Sequence, residues 1–229
     1  MKAPALALAL CAASAGPAVA LDCRLALAIA MDVSSSVDAD EDRLQREGLA
    51  AALVAPEVQA AFLRGNLPVA LAVYEWSGRW NQKLLVDWVL VRHPGDLARV
   101  ANQIAGSERS TDQYPTAMGY ALGYGAGLLR EAPPCLFQTI DLAGDGINNE
   151  GFAPESAYAA FPFAQVTVNG LVIDDGSADE VSVRAYYAAE VLRGPLAFLE
   201  VADGFEDYHR AMRRKLEREV SSQLLGMMR

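Results

Sequence analysis

The chain has 229 residues, of which 52% are hydrophobic and 21% charged. That is enough apolar material to bury a sizeable core, and it excludes a disordered polar chain. A net charge of -10 repels phosphate backbones and anionic lipid headgroups, so nucleic acid is excluded as a natural partner and cations are favoured.

Residues 1–20 read as a leader. Lys2 gives a positive start, Ala5 to Ala13 is apolar, and Ala18-Val19-Ala20 offers small residues for cleavage. The expectation is an exported protein, periplasmic or secreted, cut after Ala20. No later segment has the roughly 20 apolar residues that a bilayer crossing needs, so no membrane span is expected. A lipid anchor on Cys11 is the alternative, opposed by the bulky Leu10 before it.

Removing the leader leaves Cys23 and Cys135, an even pair in a compartment that permits oxidation. Cys23 opens an apolar run ending at Asp32, and Cys135 opens another, CLFQTIDLAGD, ending at Asp145. If these are parallel neighbouring strands, both cysteines fall at one end and both aspartates at the other. A Cys23–Cys135 disulfide follows from that placement, with two separate buried thiols as the alternative.

Leu25 to Met31 is a buried strand, and DADEDRLQREGLAAAL after it, acidic at its start, is an amphipathic helix. Pro68 to Trp76 and Gln82 to Val91 are strands joined by the short turn SGRWN, which demands a hairpin and hence an antiparallel edge strand. Pro94 to Ile104 is a short helix. Beyond the polar loop GSERSTDQY, Pro115 suits the first turn of a helix whose apolar stripe is Ala117, Tyr120, Ala121, Tyr124 and Leu128. Leu136 to Leu142 is the fourth strand. After GDGINNEG come a helix near Pro154 to Phe161, the strand QVTVNGLVI, a helix near Glu180 to Leu192, and the strand PLAFLEVA. Phe205, Tyr208, Met212, Leu216, Val220 and Leu224 mark a terminal helix.

One domain over residues 21–229 is expected. Strands crossed over by helices predict a three-layer α/β/α, Rossmann-like fold on a mostly parallel six-stranded sheet with one antiparallel edge strand. Sites in such sheets form outside the carboxyl ends of the strands, where the strand order reverses; Asp32 and Asp145 both stand at such ends.

Asp32, Ser34 and Ser36 alternate along an extended segment, so their oxygens share a direction. Carboxylates and hydroxyls suit Mg²⁺, Mn²⁺ or Ca²⁺ rather than zinc. The two histidines, His93 and His209, have no partner at ligand spacing. The plainer alternative is that these serines cap the helix that follows. Against it stand Thr116 in YPTAMGYAL, at a helix start, and Asp145 in LAGDG, at a strand end. AGDGINNEG lacks the third glycine of a dinucleotide loop, Asn149 standing in its place, so Gly144 and Gly146 serve a sharp turn beside a metal instead. Glu75, Trp76 and Tyr114 fall where they can rim such a site, although packing is the commoner role for aromatics there.

The pattern D-x-S-x-S after the first strand, a Thr opening the third helix and an Asp-Gly closing the fourth strand resembles the von Willebrand factor A fold with its metal-ion-dependent adhesion site. The resemblance covers nearly the whole chain after the leader. The phrases DVSSSVD, LQREGLAAAL, YEWSG, DLAGDGINNEG, VNGLVI and RRKLEREV further resemble a bacterial family of A-type proteins, domain of unknown function 1194. It implies that Ser34, Ser36 and Thr116 bind a divalent cation through their hydroxyls, with Asp32 and Asp145 acting directly or through water. An acidic side chain from a partner protein would complete the shell. Thr111 competes for the threonine role but lies further from the helix start. The implied function is an adhesion-type, non-enzymatic binding module, since no Lys or His stands near the motifs to activate a nucleophile. The other readings are an interaction scaffold with a vestigial metal site and a Mg²⁺-dependent hydrolase.

Overall fold

The computed structural model describes residues 21–174, 176 and 182–227, with side chains as far as residue 221. The expected leader with Cys11, Glu180 at the start of one expected helix, and the side chain of Leu224 lie outside the described residues.

Six strands, β1 Cys23–Asp32, β2 Val69–Ser77, β3 Asn81–Val91, β4 Cys135–Gly144, β5 Val166–Asp174 and β6 Leu199–Asp203, form one sheet in the order β3-β2-β1-β4-β5-β6. Every neighbouring pair is parallel except the β2–β3 hairpin. The helices are α1 Ala39–Val54, α2 Pro56–Phe62, α3 Pro94–Ala105, α4 Met118–Arg130, α5 Pro154–Ala160, α6 Val183–Tyr186 and α7 Tyr208–Met227. They flank the sheet as the outer layers of a three-layer α/β/α fold.

β1 shows why two layers of helix are needed, because it is buried along its whole length. Its Leu25, Leu27, Ile29 and Met31 enter one core with α1, α3 and α7, while Ala26, Ala28 and Ala30 enter the other with α4. Each large side chain contributes about 1.5–3 kcal/mol by leaving water. The alanine face instead lets α4 approach closely. A Cβ at Gly125 of α4 would stand 2.6 Å from Tyr74 Oη and 2.8 Å from Ile140 Cδ1.

Cys23 and Cys135 are register partners in β1 and β4 and are bonded as a disulfide, with Cα atoms 4.5 Å apart. The parallel arrangement therefore puts the bridge at one end of the pair and Asp32 and Asp145 at the other.

Four local expectations change. α2 was not anticipated; Pro56 opens it and Val58, Ala61 and Phe62 bury one face, but seven residues are too few for periodicity to register. α4 begins at Met118, leaving Pro115 outside. The carbonyls of Tyr114, Pro115 and Thr116 are taken by N–H groups of Ser35, Gly78, Asn149 and Glu150, so the segment is tied to other loops and cannot join the helix. The helix expected near Glu180 to Leu192 is α6 followed by a π-helical turn, Tyr187–Val191. β6 starts only at Leu199, because Gly194 and Leu196, with φ of 91° and 66°, turn the chain before it.

Candidate metal centre

The strand order reverses between β1 and β4, which opens a crevice at their carboxyl ends. Asp32 is the last residue of β1 and Asp145 directly follows β4. The turn after β1 is anchored on all sides. Val33 N–H donates to Trp76 O at 3.0 Å, Ser35 N–H to Tyr114 O at 2.8 Å, and Gln45 Nε2 to Asp32 O at 3.1 Å. Arg109 Nη2 donates to the carbonyls of Val33 and Ser34 at 3.1 and 2.8 Å.

Within this turn the side chains form a connected line. Asp32 Oδ1 accepts from Ser34 N–H at 2.8 Å. Ser36 Oγ donates to Asp145 Oδ1 at 2.9 Å and lies 3.2 Å from Ser34 Oγ, to which Thr116 Oγ1 donates at 3.3 Å. Ser34 and Thr116 are buried, and Ser36 is exposed at the mouth. Thr111 is not part of the line; its hydroxyl accepts from Gln113 N–H at 3.4 Å.

The serines do not cap α1. Asp38 does: its Oδ1 accepts from the N–H groups of Asp40 and Glu41 at 2.8 and 2.9 Å, and Glu41 Oε2 accepts from Asp38 N–H at 2.7 Å. The hydroxyls of Ser34 and Ser36 are left to face each other, Thr116 and Asp145.

Thr116 is positioned by the loop after β4. Asn149 Oδ1 accepts from Thr116 N–H at 2.9 Å and Asn148 Oδ1 from Met118 N–H at 2.8 Å, so a distant loop supplies the cap of α4. Gly119 allows that loop to lie against the helix, since a Cβ there would stand 2.1 Å from Phe152 O.

Electrostatically the pair of acids is strained as it stands. Burial, and then the neighbouring charge of Asp145, push the Asp32 carboxyl up to about 8, against the hydrogen bonds of Ser34 and the charge of Arg109. Asp32 Oδ2 is buried with no hydrogen-bond partner among the described residues. Gly144 keeps the space around it open: a Cβ there would stand 2.7 Å from Asp32 Oδ2 and 2.7 Å from Tyr187 Oη. Orphaned acid oxygen, adjacent hydroxyls and a carboxylate in a glycine-walled crevice are oxygen donors of the kind that hard divalent cations take. Among the described residues no group of three or more His, Cys, Asp and Glu is placed so that it could hold a metal ion by itself.

Glu75 and Trp76 prove to be buried. Glu75 Oε2 accepts from Arg46 Nη2 at 2.6 Å, and its Oε1 accepts from Ser110 N–H at 3.0 Å. Trp76 packs in the core, whereas Tyr114 is exposed beside the site. Arg109, Gln45, Asn148, Asn149 and Tyr187 were missed as site residues. The Asn pair had a signal, because asparagines just after a strand-end Asp-Gly are natural capping groups; the others act from distant sequence.

The family model described as Protein of unknown function (DUF1194) matches residues 22–224. The chain belongs to this family. None of the curated proteins matches it in sequence. Among solved structures it is similar to a von Willebrand factor type A protein from Catenulispora acidiphila, at 14% identity and a TM-score of 0.59, covering 88% of this chain and 43% of that one. Proximal thread matrix protein 1 from the mussel byssus, solved with a zinc-occupied MIDAS motif, aligns at 15% identity and a TM-score of 0.60, covering 89% and 48%. The pilus adhesin SpaC from Lactobacillus rhamnosus GG aligns at 14% identity and 0.63, covering 87% and 31%. This DUF1194 chain thus spans less than half the length of each, and what it shares with them is the von Willebrand A fold. No helix among the described residues is long and apolar enough to cross a membrane.

Proposed function

We propose that this DUF1194 protein is an exported, metal-dependent protein-binding module. Ser34, Ser36 and Thr116 hold a divalent cation through their hydroxyls, and Asp32 and Asp145 balance its charge, directly or through water. The ion is Mg²⁺, Mn²⁺ or Ca²⁺ by the chemistry of its donors. When bound it supplies a positive centre that takes an acidic side chain of the partner.

The observation that carries this reading is the line Asp145–Ser36–Ser34–Thr116 beside the unpartnered Asp32 Oδ2, with the capping role that would otherwise explain the serines already filled by Asp38. The zinc-occupied MIDAS motif of the mussel protein lends support from a protein of the same fold. The disulfide supports an oxidising compartment, as the reading of residues 1–20 as a leader does.

The surroundings favour a partner whose acid is flanked by apolar residues. Trp80, at the tip of the β2–β3 hairpin, is 84% exposed and meets Tyr120 edge-on at 6.0 Å, which in turn packs on Phe152 at 4.2 Å. Arg79 beside it is already paired with Glu150 at 2.5 Å.

Calorimetric titration with Mg²⁺, Mn²⁺, Ca²⁺ and Zn²⁺ tests the site. Binding that raises the melting temperature, is reversed by EDTA and is lost in Asp32→Ala is expected. Absence of binding at millimolar metal overturns the reading. Capture from cell-envelope extract with Mg²⁺ and again with EDTA tests the partner, and Trp80→Ser is expected to weaken capture while leaving metal affinity unchanged.

A further inference from the structure

Tyr187 opens the π-helical turn Tyr187–Val191 and is fully buried. Its hydroxyl has no hydrogen-bond partner among the described residues, and the same is true of Asp32 Oδ2. Two polar atoms buried without partners are costly to a fold, and each calls for a reason. These two share one. A Cβ at Gly144 would stand 2.7 Å from both, so they flank a single small space that only a glycine at this position leaves open.

The backbone around Tyr187 is shaped to hold the ring there. Leu192 N–H bonds to Tyr187 O at 3.0 Å, five residues back, and wide turns of this kind collect at functional sites. The ring lies against Gly170 of β5, where a Cβ would stand 2.7 Å from Tyr187 Cδ1. A phenol keeps its proton at neutral pH, so toward a carboxylate the group acts as a donor.

We propose that Tyr187 is a positioning residue of the metal centre: its O–H, unbonded to Asp32 Oδ2 as the two atoms now stand on either side of the space beside Gly144, donates to that oxygen once the ion is bound and so orients the carboxylate. The proposal rests on the metal-binding reading above. A residue that only fills the core would be kept for packing, which phenylalanine supplies equally well. A residue that orients a ligand is kept for its oxygen, at the expense of the metal-free fold.

The two roles predict different Mg²⁺ affinities for Tyr187→Phe of the full chain. Removing an unpartnered hydroxyl is expected to leave the metal-free melting temperature equal or higher, while Mg²⁺ affinity in calorimetry falls about tenfold, as for other groups that orient a metal ligand. Tyr208→Phe is the control. Tyr208 also buries a hydroxyl without a partner among the described residues, but in the core on the opposite face of the sheet. Its variant is expected to bind Mg²⁺ as the wild type does. Equal Mg²⁺ affinity in Tyr187→Phe and wild type overturns this proposal alone, as does equal weakening in both variants. If the wild type binds none of Mg²⁺, Mn²⁺ and Ca²⁺, the metal-binding reading falls and this proposal with it.

Discussion

Lys215 Nζ lies 2.5 Å from Asp141 Oδ1, and both side chains are sealed from solvent. Glu219, one helical turn on, approaches the same ammonium at 3.6 Å and accepts from Asn169 Nδ2 at 2.7 Å. Phe198 closes the group, with Lys215 Nζ 4.5 Å above its ring. This cluster fastens α7 to β4 and β5. Lys215→Met would leave the Asp141–Glu219 pair buried without its cation, and a loss of about 3–5 kcal/mol in urea unfolding is expected. Metal affinity is expected to be unchanged, since the cluster shares no residue with the proposed metal centre.

Stability should carry the signature of Glu219. Burial, then the charge of Asp141, push its carboxyl up to about 8, against the pull of Lys215. Between the ordinary carboxylate range and pH 8 the folded chain keeps a proton that the unfolded chain has released. Stability from this group is therefore full in acid and is lost as pH rises toward 8. Melting temperatures of metal-free protein between pH 5 and pH 9 are expected to fall along this slope. Asp32, raised for a similar reason, contributes in the same direction, so Glu219→Gln should reduce the slope without abolishing it.

Metal binding should show the opposite trend. Asp32 holds a proton up to about pH 8 in the metal-free protein, and a cation must displace it. Apparent Mg²⁺ affinity is expected to rise with pH and level off above about pH 8, falling by up to about tenfold for each unit below. Calorimetry in two buffers of different ionisation enthalpy should register proton release at pH 6.5 and little at pH 9. The proton count, rather than the affinity alone, identifies a titrating ligand.

These groups also mark what the sequence could and could not disclose. Asp32, Ser34, Ser36, Thr116 and Asp145 sit beside a strand end or a helix start, positions that apolar runs and turn residues make visible. The disulfide was readable because each cysteine opens such a run. Asp141 and Lys215 lie within regular elements and take their meaning from a contact 74 residues apart. The phrase RRKLEREV reads as a charged helix surface, and nothing local shows that Lys215 and Glu219 face inward. Tyr187 was hidden for a related reason: its proposed role depends on Gly144 and Asp32 arriving from other strands. α2 and the π-helical turn are simply too short for a periodic signal.

Arg109 offers a test of how firmly the turn after β1 must be held. Its guanidinium bonds two consecutive carbonyls there, and its own loop is held by buried ions: Arg46 donates to Ser107 Oγ at 2.6 Å and Glu75 accepts from Ser110 N–H at 3.0 Å. Arg109→Met keeps the bulk of the stem but removes the donors. A loss of about 1–3 kcal/mol in stability is expected from the stranded carbonyls, together with weaker Mg²⁺ binding as Ser34 and Ser36 lose their fixed spacing. Unchanged binding in a folded variant would show that Gln45, Trp76 and Tyr114 hold the turn without it.

The disulfide should separate stability from binding. Cys23 and Cys135 close a loop with a sequence separation of 112, for which loop-closure entropy gives about 4–5 kcal/mol of stabilisation. The double variant Cys23→Ser, Cys135→Ser is expected to unfold at markedly lower urea concentration. Its Mg²⁺ affinity should nevertheless match the wild type, because the bridge and Asp32 occupy opposite ends of β1, about 30 Å apart at the usual rise per strand residue. A variant that folds but binds Mg²⁺ more weakly would mean that the register of β1 against β4, and with it the meeting of Ser36 and Asp145, depends on the bridge.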